Sequence, residues 1–174
     1  MKDLKKYIRN IKDFPKKGIV FRDITTLIGN AEAFKAVIDE LADKYKNEKI
    51  SAVVCIESRG FIFGSALAYK LGARIVPVRK KGKLPSKAIS ATYSLEYGTD
   101  TLEMHEDALD KKDKVVIVDD LLATGGTVKA VIEMVEKLNA KIEGIAFVIE
   151  LSFLKGREKL KKYSVYSLVD YDSE

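Results

Sequence analysis

The sequence predicts an α/β domain whose central, mainly parallel sheet is flanked by helices, and three observations carry that prediction. Four short, almost wholly apolar runs recur, at residues 52–56, 75–78, 115–118 and 145–149. Each has the length of a strand and the β-branched content of one buried on both faces. Between them lie apolar residues spaced three and four apart, the period of a helix laid on a sheet. The alternation of the two implies right-handed crossovers, and ligands of such sheets gather beyond the carboxyl ends of the strands.

Taken in chain order, Phe34, Val37, Ile38, Leu41, Ala42 and Tyr45 make the first helical stripe, with Asn30 placed to accept from its opening N–H groups. Residues 60–71 form the second helix, which Gly72 stops. Val128, Val131, Ile132, Val135 and Leu138 make the third. Residues 80–113 break the rhythm, being too long for an ordinary connection and lacking a helical stripe. Ala91, Tyr93, Leu95 and Tyr97 alternate with polar residues, Gly98-Thr99-Asp100 offers a turn, and Leu102 and Met104 alternate again. That pattern predicts a protruding β-hairpin with the character of a lid. A chain of 174 residues without internal repeats is expected to make one domain over 1–174.

The net charge is +5 and the sequence pI about 9.1. The basic residues are spread along the chain, which argues against a nucleic-acid-binding arm. The cluster at 79–83 stands apart, because it follows the second strand at the ligand end of the sheet. Cys55, the single cysteine, sits inside an apolar run and is expected to pack as a small hydrophobe. The opening residues are charged throughout and no run reaches bilayer length, so a cytoplasmic protein with no membrane partner is expected.

The segment from Val115 to Thr127 is the most informative. It leaves a buried strand through Asp119 and Asp120, passes Ala123-Thr124-Gly125-Gly126-Thr127, and enters a helix. Backbone N–H groups and hydroxyls at a helix N-terminus cradle a phosphate, and glycine lets the backbone approach its oxygens. Two carboxylates next to that cradle accept hydrogen bonds from a vicinal diol. Phosphate and diol on one loop describe a ribose 5-phosphate. Capping acids followed by an ordinary turn would explain either half alone, but not both together. The Walker and dinucleotide glycine motifs are both absent.

This segment resembles the signature of the type I phosphoribosyltransferase family. Residues 14–24, 57–61, 79–85, 93–98 and 150–158 resemble the family members that act on adenine, so the likeness runs along nearly the whole chain. It implies the type I phosphoribosyltransferase fold, with a hood over residues 1–30 and the hairpin lid over 80–113. It implies transfer of the 5-phosphoribosyl group from phosphoribosyl pyrophosphate to N9 of adenine, with AMP and pyrophosphate as products. Mg²⁺ would arrive with phosphoribosyl pyrophosphate, without direct protein ligands, and reach Asp119 and Asp120 through water. A homodimer is implied, in which part of the 79–83 charge serves the neighbouring site.

The same likeness assigns roles. Asp119, Asp120, Ala123, Thr124, Gly125, Gly126 and Thr127 would hold the ribose phosphate. Glu57, Ser58, Arg59, Arg79 and Lys83 would hold pyrophosphate, with a strained or cis peptide near Glu57-Ser58. Val20, Phe21, Arg22 and Leu151 would bind adenine, Phe21 by stacking and the main chain around Val20 and Arg22 by reading the ring edge. Glu96, Tyr97 and Arg59 would be catalytic, with Glu96 as general base. His105 is expected to take no part. Two alternatives stand beside this reading: transfer to xanthine, hypoxanthine or orotate, and a regulator that senses phosphoribosyl pyrophosphate.

Overall fold

The structure is a computed structural model and describes residues 3–94 and 99–173. A small hairpin, β1 (Arg9–Lys12) and β2 (Val20–Asp23), leads into α1 (Thr25–Ile28) and α2 (Ala31–Tyr45). Then come β3 (Ala52–Ile56), α3 (Gly60–Leu71), β4 (Arg74–Lys80), β5 (Ala88–Ser94), β6 (Thr99–His105), β7 (Lys114–Leu122), α4 (Gly126–Lys137), β8 (Lys141–Leu151) and β9 (Val165–Tyr171). Seven of these strands form one sheet in the order β5-β6-β4-β3-β7-β8-β9, parallel from β4 to β9. The β5–β6 hairpin joins antiparallel at one edge, where Arg79 and Lys80 pair with Glu103 and Leu102.

The helices follow the predicted stripes. Asn30 caps α2 by accepting from the Ala33 N–H at 2.9 Å, and Gly72 ends α3 in the left-handed conformation at φ 65°. Side chains alternate across the sheet into two cores. Val53, Cys55, Val116 and Val118 pack under α2 and α3, while Val54, Ile56 and Ile117 pack under α4 and against Leu102 and Met104 of the hairpin. Each such fully buried aliphatic side chain contributes about 1.5–3 kcal/mol. α3 lies very close to β3: a β-carbon on Gly64 would come within 2.2 Å of Cys55 Sγ. Burial pushes the Cys55 thiol up to about 12, which suits its role as a small hydrophobe.

Three expectations need correction. Residues 75–78 are not buried on both faces: Val76 and Val78 face the core, while Ile75 and Pro77 are exposed. Asp119 and Asp120 lie inside β7, which runs on to Leu122 with Asp119 opposite Phe147 and Leu121 opposite Ile149. The apolar run marks only the part of the strand buried on both faces, whereas backbone pairing continues past the acids. Thr99 and Asp100 belong to β6 and not to the turn, pairing with Ser94 and Tyr93. Asp100 is held in the ladder by an ion pair with Lys80 at 3.0 Å and by the Thr101 N–H at 2.8 Å. Leu95 and Gly98 fall outside the described residues. β1, β2 and β9 have no counterpart in the sequence reading. Among the described residues no helix is long and apolar enough to cross a membrane.

Candidate active site

β3 and β7 are parallel neighbours, so the turns that follow them open side by side at the carboxyl edge of the sheet. Each turn leads directly into a helix, α3 after Glu57-Ser58-Arg59 and α4 after Ala123-Thr124-Gly125. The first four N–H groups of a helix have no partner inside it. Among the described residues neither α3 nor α4 has a side-chain cap on them, in contrast to α2. Both turns line one cavity of about 460 Å³, within the range of small-molecule sites. Two uncapped helix N-termini on one cavity provide for two anionic groups on one ligand. The peptide bond between Glu57 and Ser58 is cis, as the family likeness implies.

Between the two turns stand the paired acids. Asp119 Oδ1 accepts from the Asp120 N–H at 2.8 Å. Burial, with the Asp120 charge beside it, pushes the Asp119 carboxyl well above the usual range. Burial also raises Asp120, against the opposing pull of Arg59. Arg59 Nε lies 2.9 Å from Asp120 Oδ2, but off the hydrogen-bonding direction. Asp120 Oδ2 and Arg59 Nη1 are consequently buried without a hydrogen-bond partner among the described residues. Such unused capacity is costly unless a ligand takes it up. Gly60 permits this closeness, since a β-carbon there would stand 2.9 Å from Asp119 Oδ1 and 3.0 Å from the Val118 carbonyl oxygen.

Glu57 anchors the basic cluster. It accepts from Arg79 Nε at 2.7 Å, from Lys83 Nζ at 2.8 Å and from the Lys80 N–H at 3.0 Å. Burial alone would raise its carboxyl, yet Lys83, Arg79 and the Lys80 N–H together hold it down at about 2. Arg79 and Lys83 are thereby gathered beside the α3 turn without lining the cavity.

The loop before α4 is braced from behind. Gly125 takes φ 78°, and the Gly156 backbone packs against it. Arg157 next to it bonds Glu150 through Nε at 2.9 Å and through Nη2, and Ser167 Oγ donates to the same carboxylate at 2.7 Å.

Of the predicted residues, Phe21, Glu57, Ser58, Arg59, Asp119, Asp120, Ala123, Thr124, Gly125, Gly126 and Thr127 all line the cavity. Phe21 presents its ring to the Arg59 guanidinium at 5.2 Å and meets the Phe14 ring edge-on at 5.2 Å. Val20, Arg22 and Leu151 do not line it; the Arg22 side chain turns away into a buried contact with Tyr171. Glu96 and Tyr97 lie outside the described residues. Sequence reasoning missed Tyr93, Leu121, Leu122, Val128 and Phe147 as cavity residues. Phe147 sits opposite Asp119 on β8, a register no local pattern reveals. Tyr93 sits on β5 with its hydroxyl against Thr127, and its place in the alternation of the hairpin was the available signal.

A family model described as "Phosphoribosyl transferase domain" matches residues 25–173. An adenine phosphoribosyltransferase of Brachyspira hyodysenteriae is 60% identical over 169 residues, which are 97% of this chain and 99% of that protein. The crystal structure of adenine phosphoribosyltransferase from Thermoanaerobacter pseudethanolicus superposes with a TM-score of 0.93 at 50% identity, covering 97% of this chain and 98% of that one. The Saccharomyces cerevisiae enzyme, solved with an imino-altritol bisphosphate and adenine, superposes with a TM-score of 0.90 at 43% identity, covering 95% and 96%. With a motif, a cavity and close relatives all in agreement, the chain belongs to the phosphoribosyltransferase family.

Proposed function

We propose that the protein is an adenine phosphoribosyltransferase, joining adenine to the ribose of phosphoribosyl pyrophosphate and releasing AMP and pyrophosphate. The observation that carries this reading is the pairing of two uncapped helix N-termini across the Asp119–Asp120 pair in one cavity. Phosphoribosyl pyrophosphate has the matching layout, a phosphate at one end, a pyrophosphate at the other and a diol between. The yeast relative binds a sugar-like bisphosphate together with adenine, which is the same layout beside a base.

In this reading the 124–127 turn holds the 5-phosphate, and Asp119 and Asp120 accept from the ribose hydroxyls. Arg59 and the α3 turn hold the pyrophosphate, helped by Arg79 and Lys83. The bond from the anomeric carbon to pyrophosphate oxygen breaks as the bond to N9 forms, so negative charge grows where these donors are aimed. Phe21 stacks on the purine, the main chain of Val20 and Arg22 reads its edge, and Leu151 closes the other face. A carbonyl that accepts from the 6-amino group opposes a 6-oxo group, which disfavours hypoxanthine and guanine. Glu96 takes the N9 proton and Tyr97 contacts the reacting groups. The hairpin closes over them and excludes water, which would otherwise consume the activated sugar.

The acid pair also suits Mg²⁺, a hard cation that takes one or two carboxylates plus substrate phosphates. Asp120 Oδ2, which has no hydrogen-bond partner among the described residues, is an oxygen of that kind and would hold the ion through water. When bound with the substrate, Mg²⁺ offsets the charge that develops on the leaving pyrophosphate. The exposed Ile62 on α3 and Ile75 on β4 support a homodimer joined through that side of the sheet. Placement in the cytoplasm, free of membrane and nucleic acid, completes the proposal, as does a single 1–174 domain with a 1–30 hood and an 80–113 lid.

The test is an end-point assay with phosphoribosyl pyrophosphate and Mg²⁺ against adenine, hypoxanthine, guanine, xanthine and orotate in turn. Adenine is expected to be the base consumed. Preference for a 6-oxopurine would overturn the base assignment.

A further inference from the structure

We infer that Tyr171 is a positioning residue that sets the spacing of the base slot; the inference rests on the proposed assignment of Phe21 and Leu151 as the walls of that slot. Arg22 follows Phe21 on β2, and its side chain is buried at 6% exposure on the side away from the cavity. Three contacts fix it there. Nη1 donates to Asn10 Oδ1 at 2.7 Å, Nη2 donates to the Ser173 carbonyl oxygen at 3.2 Å, and the guanidinium lies over the Tyr171 ring at 3.9 Å from its centroid. The Arg22 Nε is buried without a hydrogen-bond partner among the described residues, so the ring face is what offsets its burial. A second cation, Lys5, lies 4.9 Å from the same ring centroid.

The main chain of Tyr171 holds the opposite wall. Tyr171 pairs with Leu151 in the β8–β9 register, and its carbonyl oxygen accepts from Ser152 Oγ at 3.2 Å. One residue therefore grips the hood strand through its ring and the end of β8 through its backbone. Among the described residues the hood strand β2 pairs only with β1 and lies outside the main sheet, so its distance from β8 depends on such cross-links. A stacked base needs both walls at van der Waals distance, and loosening one weakens base binding while leaving the phosphate turns on β3 and β7 untouched.

The experiment compares Tyr171→Leu, Tyr171→Phe and Ser152→Ala with the wild type, measuring kcat and both KM values with adenine and phosphoribosyl pyrophosphate. Tyr171→Leu removes the ring face and is expected to raise the adenine KM about fivefold, the equivalent of about 1 kcal/mol, or half of what a desolvated cation–π contact is worth. Its KM for phosphoribosyl pyrophosphate and its kcat stay within about twofold of wild type on the same grounds. Tyr171→Phe keeps the ring and restores the wild-type adenine KM. Ser152→Ala, a milder change that should fold if Tyr171→Leu does not, shifts the adenine KM in the same direction and leaves the other KM alone. An unchanged adenine KM in Tyr171→Leu or Ser152→Ala, or a parallel rise in both KM values, overturns the inference. If the wild type prefers another base, the base assignment fails instead, and the same comparison with that base still decides the role of Tyr171.

Discussion

Gly156 and Gly125 meet backbone to backbone: the Gly156 carbonyl oxygen lies 2.8 Å from where a β-carbon on Gly125 would stand. A β-carbon on Gly156 would in turn meet the Ala123 carbonyl oxygen at 2.1 Å. Neither clash can be relieved by a side-chain rotation, because backbone stands on both sides. Gly156→Ala is therefore expected to push the 123–127 turn outward by a large fraction of an ångström. A misplacement of that size costs about a hundredfold in catalysis. Steady-state kinetics should show kcat/KM for phosphoribosyl pyrophosphate falling by that order, with thermal unfolding at a lower temperature.

Asp119 offers a trade between stability and binding. Its folded-state pKa is raised by burial and by Asp120, so the native state holds this proton more tightly than the unfolded chain does. Its contribution is thus most favourable below the ordinary value of 3.8 and is lost as pH rises through the folded value. At neutral pH Asp119→Asn removes that cost while keeping an oxygen for the Asp120 N–H. Thermal unfolding at neutral pH should show the variant melting at a higher temperature than the wild type. The gain should vanish in acid. Calorimetry should show weaker binding of phosphoribosyl pyrophosphate by the same variant.

Glu57 behaves in the opposite sense. Its carboxyl is held at about 2 against an ordinary 4.5, so it stabilises the fold above 4.5 and loses that effect as pH falls through about 2. Glu57→Gln should cost about 1 kcal/mol at neutral pH, a modest figure because Arg79 and Lys83 are partly open to solvent. Urea titrations of wild type and variant should converge near pH 2. A difference that persisted there would mean that the ion pairs are not its source.

The exposed apolar side chains on α3 and β4 give a test of assembly. Ile62→Glu together with Ile75→Glu places two charges on that face without touching either core. Sedimentation velocity should show a wild-type dimer and a variant monomer, both folded by circular dichroism.

How much was legible in the sequence depended on how locally each feature is encoded. The runs at 52–56 and 115–118 announced their strands because burial on both faces demands apolar residues at every position. Asn30 and Gly72 announced helix ends because caps act within a few residues. The Asp119 to Thr127 string stood out because acids, small residues and glycines fall together between one strand and one helix, and they do line one cavity. Phe147 was not readable, since it enters the cavity through the β7–β8 register, and Tyr171 was not, since its partners Arg22 and Lys5 lie at the far end of the chain. The extension of β7 through Asp119 and Asp120 was hidden because polar residues in a strand look like its end. The base contacts expected of Val20, Arg22 and Leu151 came from family likeness alone, and none of the three lines the cavity.

The depth at which Cys55 is held under Gly64 has a practical outcome. With its single native sulfhydryl fully covered and its ionisation pushed to about 12, the protein is silent towards maleimides and iodoacetamides at neutral pH. A lone cysteine introduced on the exposed side of β5, such as Thr92→Cys, would be labelled by itself in an otherwise wild-type background. Fluorescent or spin probes placed there would report whether the hairpin moves when phosphoribosyl pyrophosphate and adenine are added, with no native cysteine to remove first.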